Sequence, residues 1–246
     1  MKNFSHPFFD EVYYFNSLQS SFKKAETLIK NYQVNGNFII ISKKETGSIG
    51  RDKNIWYAPE GGLWFTLGLH GFKFESSLTI FIGQIIFKTL ESYINDITNL
   101  KIKWPNDIYF KNKKLAGILT YNLPFYDYYI VGIGINTNII PKEISDITIS
   151  INEIINKKIN NSEFLYNFSE NLFENLPDFL ENGLDNVFFN QHSFLKNKII
   201  TIQTVFDTFS GISMGINKKG AILLKLPSGL IQPFYSGKII NYKNQS

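Results

Sequence analysis

Chemistry in these 246 residues can be sought in three places: a lysine opening an apolar strand, a strand bared on one side by glycines, and a glycine-containing loop with the only arginine. In KIKWPNDIYFKNKKLAGIL, Lys101 to Leu119, Pro105-Asn106-Asp107 is a turn signal after a strand, and Lys111-Asn112-Lys113 is another before Lys114. If Lys114 opens the next strand, alternation sets it on the face of Ala116 and Ile118. An ammonium on an apolar face calls for an anion, and a solvated strand-end charge accounts for the same pattern. In YIVGIGINTN, Val131, Ile133 and Ile135 share one face, while Gly132, Gly134 and Asn136 share the other. Glycines that bare a strand admit either a ligand or a closely packed backbone, and Asn136 gives that platform a polar end. Thr137 stands where a dinucleotide fingerprint needs its third glycine.

The third place is KKETGSIGRDKNIWYAPEGGLWF, Lys43 to Phe65, a polar loop with Gly47, Gly50, Arg51 and Lys53 leading to Trp56. Backbone amides freed by glycine, with Arg and Lys beside them, can cradle phosphate, and the stretch also reads as a plain flexible loop. Arg51 is the only arginine among 25 cationic residues. In so lysine-biased a chain, one guanidinium suggests a position where a planar, two-pronged donor matters. The absence of Cys excludes disulfides, thiolate metal sites and cysteine nucleophiles. His6, His70 and His192 lie too far apart in sequence to form a paired metal motif, so no protein-held metal is expected. An apolar share of 43% against 19% charged is that of a globular chain. No run of about 18 apolar residues suggests a membrane span, and no secretory signal opens the chain, so a cytoplasmic protein is expected.

These residues need elements to hold them. Phe22, Ala25, Leu28, Ile29 and Tyr32 recur at helical spacing from Ser20 to Tyr32, with Ser20 or Ser21 placed to cap. Phe38–Ile41 reads as a buried strand, Leu63–His70 as an alternating one and Leu78–Ile94 as a second helix. Ile108–Phe110, Leu115–Leu119 and Tyr129–Ile135 read as a meander of strands. Asn161–Leu180 carries a stripe of Phe164, Leu165, Phe168, Leu172, Leu176 and Phe179, the mark of a core-facing helix. Beyond His192, turn signals at Asn217–Gly220, Pro227–Gly229 and Ser236-Gly237 break the chain into short hairpins. The expectation is an α+β body over residues 1–191 and a small β-barrel over 192–246.

Taken in order, LQSS (Leu18 to Ser21), GSIGRDKNIW (Gly47 to Trp56), KWPND (Lys103 to Asp107), KKLAGIL (Lys113 to Leu119) and GIGIN (Gly132 to Asn136) resemble biotin protein ligases. The resemblance implies a mixed sheet flanked by helices, related to the class II aminoacyl-tRNA synthetase catalytic domain, and an SH3-like C-terminal barrel. It implies attack of the biotin carboxylate on the α-phosphate of ATP, then transfer of biotin from biotinyl-AMP to a lysine on the carrier domain of a biotin-dependent carboxylase. ATP and biotin are then substrates, and magnesium is expected to arrive on the nucleotide phosphates. By the same resemblance Lys114 meets the carboxylate and α-phosphate, and Arg51 beside Gly50 helps retain the adenylate. Ser20 and Ser21 meet the biotin ring, with Trp56, Gly61 and Gly62 as wall and backbone beside it. Trp104, Asn106 and Asp107 fall on the nucleotide and magnesium side, and Gly117, Gly132, Gly134 and Asn136 form the floor. Glu45 is added on chemistry, since a carboxylate accepts from a ureido N–H.

The chain departs from the pattern at Ser48-Ile49, where the family has a Gly-Arg pair, at Lys53, where it has a later Gly, and at Phe22, where it commonly has Asn. One phosphate-facing charge is lost, and Lys53 is the residue placed to offset it. A lipoate or octanoate transferase is the alternative enzyme, and a biotin binder with impaired turnover the alternative from another class. Only about a dozen residues precede Tyr13 and the net charge is +4, so neither a DNA-binding domain nor repression is expected. A homodimer through sheet edges is compatible with the resemblance alone.

Overall fold

The computed structural model describes residues 4–72 and 76–244. Seven strands form the main sheet: β1 (Glu11–Phe15), β2 (Phe38–Ser42), β3 (Leu63–His70), β4 (Leu100–Lys103), β5 (Asp107–Phe110), β6 (Lys113–Leu123) and β7 (Tyr128–Ile135). Their order is β1-β2-β3-β7-β6-β5-β4. The sheet is mixed, since β1 runs parallel to β2 and the other neighbours are antiparallel. Two helices cover one face, α2 (Leu78–Glu91) and α4 (Asn161–Asn182). The six-residue stripe of α4 is buried as its spacing predicts, and Phe179 stacks on Phe81 of α2 at 4.1 Å between ring centroids. Against them lie Val131, Ile133, Ile135, Phe65 and Leu67, the apolar face of β7 and β3.

The opposite face carries α1 (Ser21–Lys30), which starts on Ser20 as N-cap and packs Ala25, Leu28 and Ile29 on Phe38, Ile40 and Ile130. Beside α1 that face stays open, because Gly132 and Gly134 of β7 meet Leu119 and Gly117 of β6 across the ladder. Two short helices, α3 (Ile151–Ile155) and α5 (Asn186–Gln191), complete the body. A second, antiparallel sheet of five strands is barrel-like in its make-up: β8 (Lys198–Gln203), β9 (Thr208–Ile216), β10 (Ile222–Lys225), β11 (Ile231–Phe234) and β12 (Lys238–Asn244). Its Ile200, Ile202, Leu224 and Phe234 belong to the same core as the body. The segment entering it bonds to the free edge of β4, with Ile102 N donating to His192 O and Phe194 N to Ile102 O.

One sequence expectation fails at the site. Alternation set Lys114 on the face of Ala116 and Ile118, yet Ile108 pairs with Ala116 and Tyr109 with Lys114, so Leu115 is an extra residue in β6. That β-bulge reverses the side-chain sense. A Cβ on Gly117 would lie 3.1 Å from both Cε and Nζ of Lys114, so the ammonium lies over Gly117, on the open face.

Candidate active site

The open face of the sheet, the N-terminus of α1 and the loop between β2 and β3 enclose a cavity of about 260 Å³. Gly117, Gly132 and Gly134 lie in its wall, and each makes room for a neighbour. A Cβ on Gly132 would come 2.9 Å from the Phe22 ring, and one on Gly134 would come 2.6 Å from the Trp56 indole. The bare strand therefore seats protein rings, and both glycines also face the cavity. The indole N–H of Trp56 is buried with no hydrogen-bond acceptor among the described residues, a donor left over for whatever enters the cavity.

At one end the groups are hydroxyls and a carboxylate. Glu45 accepts from the Ser21 backbone N–H at 3.1 Å and from the Ser48 hydroxyl at 2.6 Å, and Ser21 Oγ lies 2.7 Å from Thr66 Oγ1. The Ser20 hydroxyl accepts from Lys23 N at a long 3.4 Å, so as a cap it is weakly engaged. Ser48, which replaces a loop glycine in the resemblance, thus holds Glu45 in place, and Glu45 in turn anchors the start of α1.

At the other end the groups are charged. Lys114 Nζ stands 2.7 Å from Asp107 Oδ1 and 5.0 Å from the Trp56 ring centre. The contact with Asp107 is an ion pair by distance without hydrogen-bond directionality, for Oδ1 is buried and accepts no well-aligned bond. Trp104 is buried, and its indole donates to Gly220 O at 3.0 Å. Asn106 Nδ2 donates to Ile118 O at 2.9 Å, tying the KWPND turn to β6. Arg51 lines the same cavity, but its Nη2 donates to the Gly237 carbonyl of the C-terminal sheet, and its Nε is 4.0 Å from Asp52. The side chain of Lys53 lies outside what is described.

Thirteen of the sixteen residues singled out in the sequence line this one cavity: Ser20, Ser21, Glu45, Gly50, Arg51 and Trp56 from the first part of the chain, and Trp104, Asn106, Asp107, Lys114, Gly117, Gly132 and Gly134 from the second. Gly61, Gly62 and Asn136 do not line it. A Cβ on Gly62 would meet the Trp64 ring at 2.0 Å, and Gly61, at φ +117°, would press on Ile139. Both serve the seat of Trp64 and the end of the loop. Asn136 is buried and donates to the carbonyls of Lys114 and Ile149 at 3.3 and 3.2 Å, so it steadies the backbone that carries the lysine.

Two lining cations were missed in the sequence. Lys103 donates to the Tyr109 hydroxyl at 3.1 Å, with its Nζ 4.5 Å and 4.7 Å from the Tyr109 and Tyr242 ring centres. Burial holds its pKa below the usual lysine value, with Asp107 pulling the other way. Its place within KWPND was the available signal. Lys238, from β12, lies in the SGKII tail that shares the resemblance, without a role assigned to it there.

Two known protein families match this chain. The biotin/lipoate A/B protein ligase family model matches residues 14–138, and the biotin protein ligase C-terminal domain model matches residues 197–240. The chain belongs to the biotin/lipoate A/B protein ligase family. Within it, the second match adds the C-terminal domain of biotin protein ligases, and the chain is a ligase of that kind. It is 28% identical to the bifunctional ligase/repressor BirA of Bacillus subtilis over 241 residues, covering 92% of this chain and 72% of the relative. To BirA of Escherichia coli it is 28% identical over 214 residues, 81% of this chain and 64% of that one. The biotin protein ligase of Aquifex aeolicus in complex with biotin and ATP superposes with a TM-score of 0.83 at 26% identity, covering 96% of this chain and all of the other.

Proposed function

We propose that this ligase activates biotin as biotinyl-AMP and passes it to a lysine of a biotin carrier domain of the acetyl-CoA carboxylase type. The observation that carries the reading is that Lys114 and Arg51, 63 residues apart in sequence, line one cavity whose opposite end is uncharged or acidic. A carboxylate oxygen of biotin forms a bond to the α-phosphorus of ATP, and the bond to the β-phosphate oxygen breaks to release pyrophosphate. Two anions must meet, and Lys114 over Gly117 is placed to neutralise charge that grows on the α-phosphate. The ureido ring fits the hydroxyl end, where Ser20, Ser21 and Glu45 offer donors and acceptors. In the second step a neutral lysine amine of the carrier attacks the biotinyl carbonyl, an amide forms, and AMP departs. Trp56 and the loop cover the mixed anhydride and keep water away.

Asp107 Oδ1, buried and without an aligned hydrogen bond, is the oxygen that suits a divalent ion arriving with the nucleotide. No group of three acidic, His or Cys residues is arranged to hold an ion among the described residues, so magnesium would be carried mainly by phosphate oxygens. A repressor role is not part of this reading, since a net charge of +4 gives no broad electrostatic case for duplex DNA. A sequence-specific footprint would overturn that part.

Purified protein with ATP, magnesium, biotin and a carrier domain should release pyrophosphate and raise the carrier's mass by one biotinyl group. Pyrophosphate release with lipoate, and none with biotin, would replace the substrate assignment. Biotin binding without pyrophosphate release would make the protein a binder.

A further inference from the structure

Lys238, an exposed residue, is the one cation of the C-terminal sheet that lines the cavity. It opens β12 directly after Gly237, whose carbonyl accepts from Arg51, so the loop and the start of β12 are held together. Its backbone is fixed by pairing with Gln203 of β8. Gly237, at φ +148°, has no room for a side chain, since a Cβ would lie 2.5 Å from Ile202 Cγ2. Among the described residues the Lys238 ammonium has no ion pair and no hydrogen bond. Lys114 differs in this respect, because its charge is already opposed by Asp107. The lining holds four cations, Arg51, Lys103, Lys114 and Lys238, against three carboxylates, Glu45, Asp52 and Asp107. Glu45 belongs to the hydroxyl end. An uncommitted ammonium at the charged end is suited to a polyanion longer than the single phosphate that Lys114 serves.

We propose that Lys238 binds the terminal phosphates of the nucleotide and the pyrophosphate that leaves, acting from the C-terminal sheet across the loop held by Arg51. The inference rests on the proposed adenylation and assigns it a further binding residue. Ser48-Ile49 leaves the loop one cation poorer than the resembled pattern, and Lys238 supplies a positive charge from the other side. A charge-assisted contact of this kind is worth a factor of about ten or more in affinity.

The test uses the full chain and its Lys238→Ala, Lys238→Arg and Lys238→Glu variants, with inorganic pyrophosphate as the calorimetric probe. Pyrophosphate affinity should fall about tenfold in Lys238→Ala, further in Lys238→Glu, and be largely restored in Lys238→Arg. At saturating biotin the KM for ATP should rise in parallel, while the KM for biotin stays at the parent value. A merely structural lysine would move neither KM selectively. Equal pyrophosphate affinity in parent and Lys238→Ala, or no pyrophosphate binding by the parent, overturns the inference. If the parent binds pyrophosphate but releases none from ATP and biotin, the adenylation reading falls, and the binding difference between variants still decides the role of Lys238.

Discussion

Charge opposition is the theme at the scale of single residues. Lys114 sits against Asp107 at 2.7 Å and has nothing else to neutralise until an anion enters. Lys114→Ala should therefore lower adenylation by roughly 10²–10³, the usual loss when one stabilising donor is removed from a developing oxyanion. Pyrophosphate release is the measurement, and a rate near that of the parent would remove Lys114 from the chemistry. The glycines make a second, opposite-signed pair of expectations. A Cβ at Gly134 would overlap the Trp56 indole at 2.6 Å, whereas at Gly83 in α2 the nearest atoms are an ordinary 3.6 Å or more away. Gly134→Ala should destabilise by about 1–3 kcal/mol and shift tryptophan fluorescence as Trp56 moves. Gly83→Ala should stabilise by about 0.5–1 kcal/mol, because helix glycine carries an entropic cost and the space exists. An unchanged or raised denaturant midpoint in Gly134→Ala would show that the seat of Trp56 is not tight, and a lowered one in Gly83→Ala that α2 has no room at that position.

Elements decide where those residues point, and here the sequence was legible unevenly. The long apolar patterns of α2, α4, β3 and β7 declared themselves, because each buries a full face and burial sets the period. The edge strand β1 did not, because EVYYF has no buried position and hence no alternation to read, whereas β4 could be read as the strand before the Pro105 turn. The bulge at Leu115 left no local trace either, since it is fixed by the partner strand β5 and by Lys114 N donating to Ile147 O. Fifteen site residues could be named from motif wording and Glu45 from its chemistry, but which of them touch the cavity depended on side-chain direction. Asn136 illustrates this, having a motif position beside the platform and a structural task behind it. Its amide joins the end of β7 to the carbonyls of Lys114 and Ile149. Asn136→Ala should cost about 1–3 kcal/mol, since the Ile149 carbonyl loses its donor while the Lys114 carbonyl keeps the bond from Ile149 N, and should lower kcat more than it raises the KM for biotin. A large rise in biotin KM at unchanged kcat would instead make Asn136 a substrate contact.

The whole molecule is joined along a seam where the five-stranded sheet meets the β4–β5 hairpin. Trp104 reaches across it to Gly220, and Lys103 and Lys198 lie against the rings of Tyr109, Phe194 and Tyr242. That composition gives alkaline stability a definite shape. Burial pushes the Tyr109 hydroxyl far above its ordinary value, with Asp107 adding to the shift. A group raised in this way lends stability that is complete below the unfolded value of about 10 and is lost as pH climbs toward the folded one. Burial lowers Lys103 and Lys198, so their charged forms penalise the fold near neutrality, and the penalty is relieved as pH rises toward about 10.5. Thermal midpoints should hold or rise slightly up to about pH 10 and then fall steeply. Tyr13 on β1, raised to about 12 chiefly by burial with Glu11 assisting, has the same sign away from the seam, so Tyr13→Phe serves as the control. Tyr109→Phe should blunt the alkaline fall more than Tyr13→Phe does, because the Tyr109 ring packs on Phe194, the residue that meets Tyr242 of the five-stranded sheet across the seam. Equal blunting by the two variants would mean that this seam does not govern unfolding.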